Sequence, residues 1–291
     1  MPMPIQHRGF VLLMVLVVLV IAGSLLAVSA RRSAQEVLAS GAAERELEMK
    51  WGSRTLETLA MVQAEELLDH RPAMLDLPPA ITVDSVTLGG TVFDVVVTDE
   101  QAKANVNRVA AWPDKERLQD VLSALGAGRS NPEVVLRPVE MKSGEIRNPP
   151  LLYAGLEQVF VTTSPQDLLG AKAYGDGPVG RITCWGNGKV NVRRAERIVL
   201  RQMLWDVLDE YQLHQLLVLR EEKPGAGLGE MLPVVETDKD KRVEIEKRLT
   251  DSSKCHAVWI VAHGSTRNWY RLTVRQAGDE ANDAGQWTFA W

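Results

Sequence analysis

The sequence has little cysteine, no excess of positive charge and no complete catalytic signature, and each shortage removes a class of function. Two cysteines in 291 residues, Cys184 and Cys255, are too few for a disulfide framework. Each lies in an apolar, strand-like run, the setting in which free thiols are commonly buried. A single disulfide between them is the alternative, and an oxidising compartment would allow it. The net charge of -5 argues against nucleic acid, whose phosphates need a basic surface, and against attachment to a membrane surface through a polybasic face. Gly186-Asn187-Gly188-Lys189 imitates part of a phosphate loop. Thr183 stands where its first glycine belongs, however, and Val190 where Ser or Thr would hold magnesium. His263-Gly264-Ser265 suggests a hydrolase turn, but no Gly-x-Ser-x-Gly elbow occurs. The five histidines, His7, His70, His214, His256 and His263, show no zinc-ligand spacing with cysteine. No two carboxylates stand out as a paired acid and base. The chain therefore reads as a non-enzyme, and its partners as proteins or small molecules.

What the sequence does have is concentrated at its start. No charged residue occurs from Gly9 to Ala30, a stretch of roughly twenty residues that is long enough to cross a bilayer core as a helix. His7 and Arg8 precede the run and Arg31 and Arg32 follow it, so flanking charge leaves its orientation open. A secretory signal has a shorter apolar region ending in small residues, and Ala27-Val28-Ser29-Ala30 keeps that reading open. Helix-friendly sequence continues to about His70, with Val37, Leu38, Leu47, Trp51, Leu59 and Leu67 at loosely helical spacing. A single helix from Phe10 to His70 would be roughly 90 Å long. Gly41 and Gly52 are weak points where it would bend, and Pro72, Pro78 and Pro79 would end it.

Farther along, Ile81–Leu88 and Thr91–Thr98 flank Gly89-Gly90, a strong hairpin signal. Asp114–Gly126 reads as an amphipathic helix with Leu118, Val121, Leu122 and Leu125 on one face. Residues 126–150 read as loop, Ser164-Pro165 as a turn and Gly225–Gly229 as loop. One helix is predicted over Ala195–Leu219, with Ile198, Met203, Leu204, Val207, Leu208, Tyr211 and Leu216 near one face, and a charge-dense one over Glu236–Asp251, with Glu244 and Arg248 paired at i, i+4. Ala257–Ala262, Trp269–Arg275 and Trp287–Trp291 read as closing strands. The class is α+β.

A short basic leader ending in Gly9, with Phe10 opening the apolar run, resembles the prepilin signature of type IV pilins and type II secretion pseudopilins. That resemblance implies that prepilin peptidase cuts between Gly9 and Phe10, methylates Phe10 and leaves the apolar run as inner-membrane anchor and filament core. Most members carry Glu at the fifth mature position, where Met14 stands here. The minor pseudopilin K family (general secretion pathway protein K) lacks that glutamate and sits at the filament tip. Two further stretches are similar to that family's junctions around an inserted helical domain. One is Asp99-Glu100 followed by Asn105-x-Asn107, with Ala102 in place of a glycine; the other is Ile182–Ala195 with Asn191, where Arg193 replaces the second Asn.

The resemblance implies a leader at 1–9, a transmembrane and stalk helix at 10–70, a pilin-like sheet from 71–100 and 255–291, and a mainly helical insertion at 101–254. It further implies an inner-membrane protein with a periplasmic C-terminal domain that docks other minor pseudopilins, caps the pseudopilus and binds no nucleic acid. No cofactor is required. Family members hold calcium in acidic loops, which makes Asp279, Glu280 and Asp283, beside Asn282, the candidate metal site; a solvated turn is the alternative. Two other functions stay open: a minor pilin of a type IV pilus, and a single-span anchored periplasmic enzyme or binding module.

Overall fold

The computed structural model describes residues 8–70, 77–112, 114–126, 153–160, 164–170, 174–265, 267–277 and 285–291. Two compact units are present, Met1–Trp51 and Gly52–Trp291. Helix α1 (Arg8–Val62) forms the described part of the first with its residues 8–51 and belongs to the second from Gly52 on. Its valines and its one isoleucine, Ile21, lower helix propensity only slightly. The run has no partner strand, and an uncharged segment in lipid must satisfy its backbone internally. The apolar window has a mean hydropathy of 2.9 and none of it is buried inside the protein. Ser24 Oγ donates to the Val20 carbonyl at 2.7 Å, so its hydroxyl is satisfied within the helix.

The second unit is built on an antiparallel sheet whose strands lie in the order β1 (Ile81–Leu88), β2 (Thr91–Asp99), β7 (Cys255–Ala262), β8 (Trp269–Gln276) and β9 (Gly285–Ala290). Strands β1 (Ile81–Leu88) and β2 (Thr91–Asp99) form the expected hairpin. Gly89 and Gly90 both have positive φ, at 58° and 86°, which matches the twist of a two-residue hairpin turn. β7 (Cys255–Ala262), β8 (Trp269–Gln276) and β9 (Gly285–Ala290) complete the sheet. Alternation divides its side chains between two faces. Phe93, Val95, Val97, Val258 and Ile260 are buried on one face. Gly52 of α1 lies against Phe93, and helix α2 (Ala64–Asp69) packs against β1, β2 and β7. Val96, Trp259, Leu272 and Val274 on the opposite face join the core formed with the chain between β2 and β7.

Among its described residues, that intervening chain is mainly helical. It contains α3 (Val106–Ala110), α4 (Lys115–Gly126), α5 (Pro165–Leu169), α6 (Arg197–Met203), α7 (Glu210–Glu222), α8 (Leu228–Val235) and α9 (Lys239–Glu246). Two short parallel pairs stitch it together: β3 (Ala104–Asn105) with β4 (Ile182–Thr183), and β5 (Val190–Asn191) with β6 (Leu249–Thr250). The four apolar residues expected on the buried face of α4 are all buried.

Several local expectations are corrected. The long helix breaks at Gln63, ahead of any proline, because α2 turns to bury Ala64 and Leu68. The helix assignment of α1 continues through Gly52, and a Cβ there would come within 2.5 Å of the Phe93 ring. Val37, Leu38, Leu47, Trp51 and Leu59 are exposed, while Leu56 and Ala60 are buried. Ala195–Leu219 is two helices. Asp209 and Gln212 form a reciprocal capping box that starts a new helix, and Tyr211, expected on the buried face, is 68% exposed. Ser164-Pro165 opens α5 with proline in the first turn. Leu228–Val235 is helical despite Gly229 and Pro233, because Met231, Leu232 and Val235 are buried. The charged helix shrinks to α9, since the Asp238 side chain caps it and the chain then enters β6. The loop expected at 126–150 lies outside the described residues except for Gly126, which ends α4.

Candidate functional site: a buried polar junction

The residues singled out at the sheet's exit converge. β2 ends at Asp99, whose side chain is fully buried and caps a turn of 3-10 helix over Glu100–Ala102. One Asp99 oxygen accepts from the Gln101 and Ala102 amides, at 2.9 and 3.2 Å, and from Ser253 Oγ at 2.7 Å. The other accepts from Asn191 Nδ2 at 2.8 Å and Arg194 at 3.3 Å. A buried carboxylate is tolerated only when paired and hydrogen-bonded in this way. Asn191 Oδ1 takes the Arg193 amide at 3.1 Å. Its turn depends on the main chain of residue 193, which is why arginine can stand there.

Asn105 and Asn107 fasten the same region. Asn105 caps α3 through the Arg108 amide and donates to the Trp185 carbonyl at 2.7 Å. Asn107 donates to the carbonyls of Tyr153 and Cys184, at 3.0 and 2.8 Å, and accepts the Tyr153 amide at 2.7 Å. Glu100 and Lys103 form a buried ion pair at 2.5 Å, each 1% exposed, with Thr98 donating to the same Glu100 oxygen at 2.6 Å. Ala102 is buried, and no described residue other than glycine has positive φ, so its methyl group fits where the related motif has glycine.

Four residues around Asp99 and Arg194 are not marked by any sequence motif: Arg194, Glu65, Asp69 and Ser253. Arg194 bridges Asp99 to α2, pairing with Glu65 at 2.8 Å and with Asp69. Burial opposes its charge, but the bonds to Glu65 and Asp69 outweigh that and raise its pKa. His256 Nε2 meets the second Glu65 oxygen at 2.7 Å. The hydrogen bond from His256, helped by Arg194 and opposed by burial, lowers the Glu65 pKa to about 2. The Arg193-Arg194 pair was the available signal, but its acidic partner is 129 residues away. Cys184 and Cys255 are free and buried. Burial, followed by nearby carboxylates, pushes both thiols up, so neither is a ready nucleophile.

The other motifs serve structure. Asn187 of the phosphate-loop imitation accepts from Gln101 at 2.6 Å and from the Lys189 amide at 3.0 Å. His263 meets Asp94 at 2.7 Å, and Asp94 also accepts from Ser85 at 2.6 Å and Tyr174 at 2.5 Å. Burial opposes the Asp94 charge, yet these three bonds lower its pKa. Ser85 bonds the carboxylate and not the imidazole, so the nucleophile-to-base contact of a hydrolytic triad is not made here.

Gly9 and Phe10 lie in the first turns of α1, with their side chains outside the described set, as are Asp279, Glu280 and Asp283 altogether. Among the described residues no group of three or more His, Cys, Asp or Glu is placed to hold a metal. No family model and no curated protein matches the chain. A solved structure does. It is a chain of the GspK-GspI-GspJ complex from the type 2 secretion system of enterotoxigenic Escherichia coli, at 13% identity and a TM-score of 0.48, covering 87% of this chain and 99% of that one.

Proposed function

We propose that this chain is a minor pseudopilin of type II protein secretion, a membrane-anchored assembly protein and not an enzyme. The observation that carries the reading is α1. It holds a Gly9-Phe10 step in its opening turn, continues as an exposed uncharged run, and ends with residues 52–62 serving an antiparallel sheet through Gly52 and Glu57. Prepilin peptidase removes residues 1–9 and methylates Phe10, and the exposed run serves as inner-membrane anchor and then as filament core. The globular part stands in the periplasm. The buried junction holds the helical insertion on the sheet, so that its outer surface can dock other minor pseudopilins.

In this reading the subunit caps the filament. Met14 offers no carboxylate to a neighbouring terminal amine, and an unpaired buried charge costs several kcal/mol. At the tip no subunit lies above, and the carboxylate is not needed. Mass spectrometry of the protein from its native host tests the reading: a methylated N-terminal Phe10 is expected. A retained leader, or a start near Ser29 to Arg31, overturns it. Tip-only gold labelling is expected on pseudopili assembled with the other minor pseudopilins, whereas homopolymeric filaments of this chain reject the capping role.

A further inference from the structure

Three strands of the sheet bring apolar side chains into one register. Trp259 of β7 lies opposite Leu272 of β8, and Leu272 lies opposite Phe289 of β9. Alternation puts Trp291 on the same face as Phe289. Trp259 and Trp291 stack at 5.8 Å, Phe289 and Trp291 at 6.1 Å, and Trp185 tilts onto Phe289 at 6.0 Å. These four rings share a cleft with the turn of 3-10 helix over Leu156–Gln158, and it measures about 260 Å³ counting its open mouth. Three leucines complete the apolar lining, and Glu157 is the one charged residue in it. Glu157 is exposed, and among the described residues its carboxylate has no ion-pair partner. Gly155 leaves the space that this carboxylate occupies, since a Cβ there would meet it.

We propose that this cleft seats one arginine side chain of a partner protein, its guanidinium laid against the aromatic rings and paired with Glu157. Charge selects a cation. Aromatic faces attract one, an anion would be repelled by the carboxylate, and a neutral apolar group would desolvate that carboxylate without pairing it. Size selects a single side chain, because the cleft falls short of the roughly 300–1,000 Å³ usual for small-molecule sites. Shape selects arginine over lysine. A guanidinium is planar and weakly hydrated, stacks on rings and offers a carboxylate two parallel N–H groups, whereas an ammonium is a compact, strongly hydrated point charge. Trp291 is 39% exposed and Phe289 half-buried, so the rings remain within reach of a visitor. The chain makes the same kind of contact internally, where Arg117 lies 4.8 Å over the Trp205 ring. The cleft's preference does not depend on the secretion reading.

Fluorine NMR of the full chain in detergent, labelled with fluorotryptophan and titrated with N-acetyl-arginine amide, tests this. Single tryptophan-to-phenylalanine changes assign the signals. Those of Trp185, Trp259 and Trp291 are expected to move and saturate, while Trp51 and Trp205, both exposed and outside the cleft, stay in place. The citrulline analogue, of the same shape without the charge, should bind about 10-fold more weakly, and Glu157→Gln should weaken the arginine probe about 5-fold with circular dichroism unchanged. Setting the arginine in a Gly-Arg-Gly peptide should preserve binding, since a partner's side chain arrives on a backbone. Equal affinity for arginine and citrulline probes, or indifference to Glu157→Gln, would reduce the site to a plain apolar groove and overturn the proposal. Equal movement at Trp51 and Trp205, or no movement at any concentration, rejects it. Tighter binding of tetramethylammonium than of either arginine probe, or loss of binding in the peptide, also rejects it, because the site would then serve a free organic cation.

Discussion

One helix presents two opposite regimes. In residues 12–50 of α1, leucine and valine are exposed almost without exception, whereas in residues 52–62 the small and apolar positions Ser53, Leu56 and Ala60 are buried. Propensity is similar in both stretches. What differs is the partner: among the described residues the leucines and valines of the first stretch are exposed, and the second serves a sheet. Composition decides the first region, and contacts distant in sequence decide the second.

The sharpest way to break the second regime is Asp99→Ala. It leaves Asn191, Ser253 and two turn amides without their buried acceptor and takes from Arg194 one of its three carboxylates, so a loss of about 3–5 kcal/mol is expected. Urea denaturation of the full chain in detergent should show a collapsed midpoint, or no folded globular part at all. A change of under about 1 kcal/mol would mean that the junction is not what holds the insertion on the sheet.

The glycines of α1 give the direct comparison. Gly52→Ala drives a methyl group into the Phe93 ring and is expected to cost about 1–3 kcal/mol, with Phe93→Leu in the same chain recovering part of the loss. Gly41→Ala meets nothing within 4 Å, so it should stabilise the helix by about 1 kcal/mol, read as a higher melting point at 222 nm. Opposite signs at two glycines of one helix are the outcome expected; equal signs would erase the distinction.

The smallest effect concerns pH. The Glu65 pKa is depressed in the folded state to about 2, so its contribution is present above its ordinary value near 4.5 and is lost as pH falls from there through about 2. The melting point of Glu65→Gln should therefore fall less than that of the wild type across this window. Because half of the Glu65 side chain is exposed, the difference will be small and salt-dependent.

Elements defined by local chemistry were legible. The Gly89-Gly90 hairpin, α4 and the closing strands follow from turn residues and periodicity. The junction residues Asp99, Glu100, Asn105, Asn107 and Asn191 could be picked out as a motif, but what each bonds to could not. Their partners, Ser253 and Arg194 for Asp99 and Tyr153 for Asn107, lie 154, 95 and 46 residues away. The split between α6 and α7 is not legible in the sequence although Asp209 and Gln212 carry its capping box, because a capping box inside a long helical pattern competes with continuation, and packing of Leu204 and Leu208 decides between them.

The sequence by itself determined the uncharged opening run, the helix it must form, the hairpin and the α+β class, since these depend on backbone conformation and on transfer from water, both local quantities. Tertiary structure alone decided which face of α1 is covered, where helices stop, and how one arginine ties Glu65, Asp69 and Asp99 together. Those outcomes depend on burial and on charge pairing between residues the chain brings together only once it has folded.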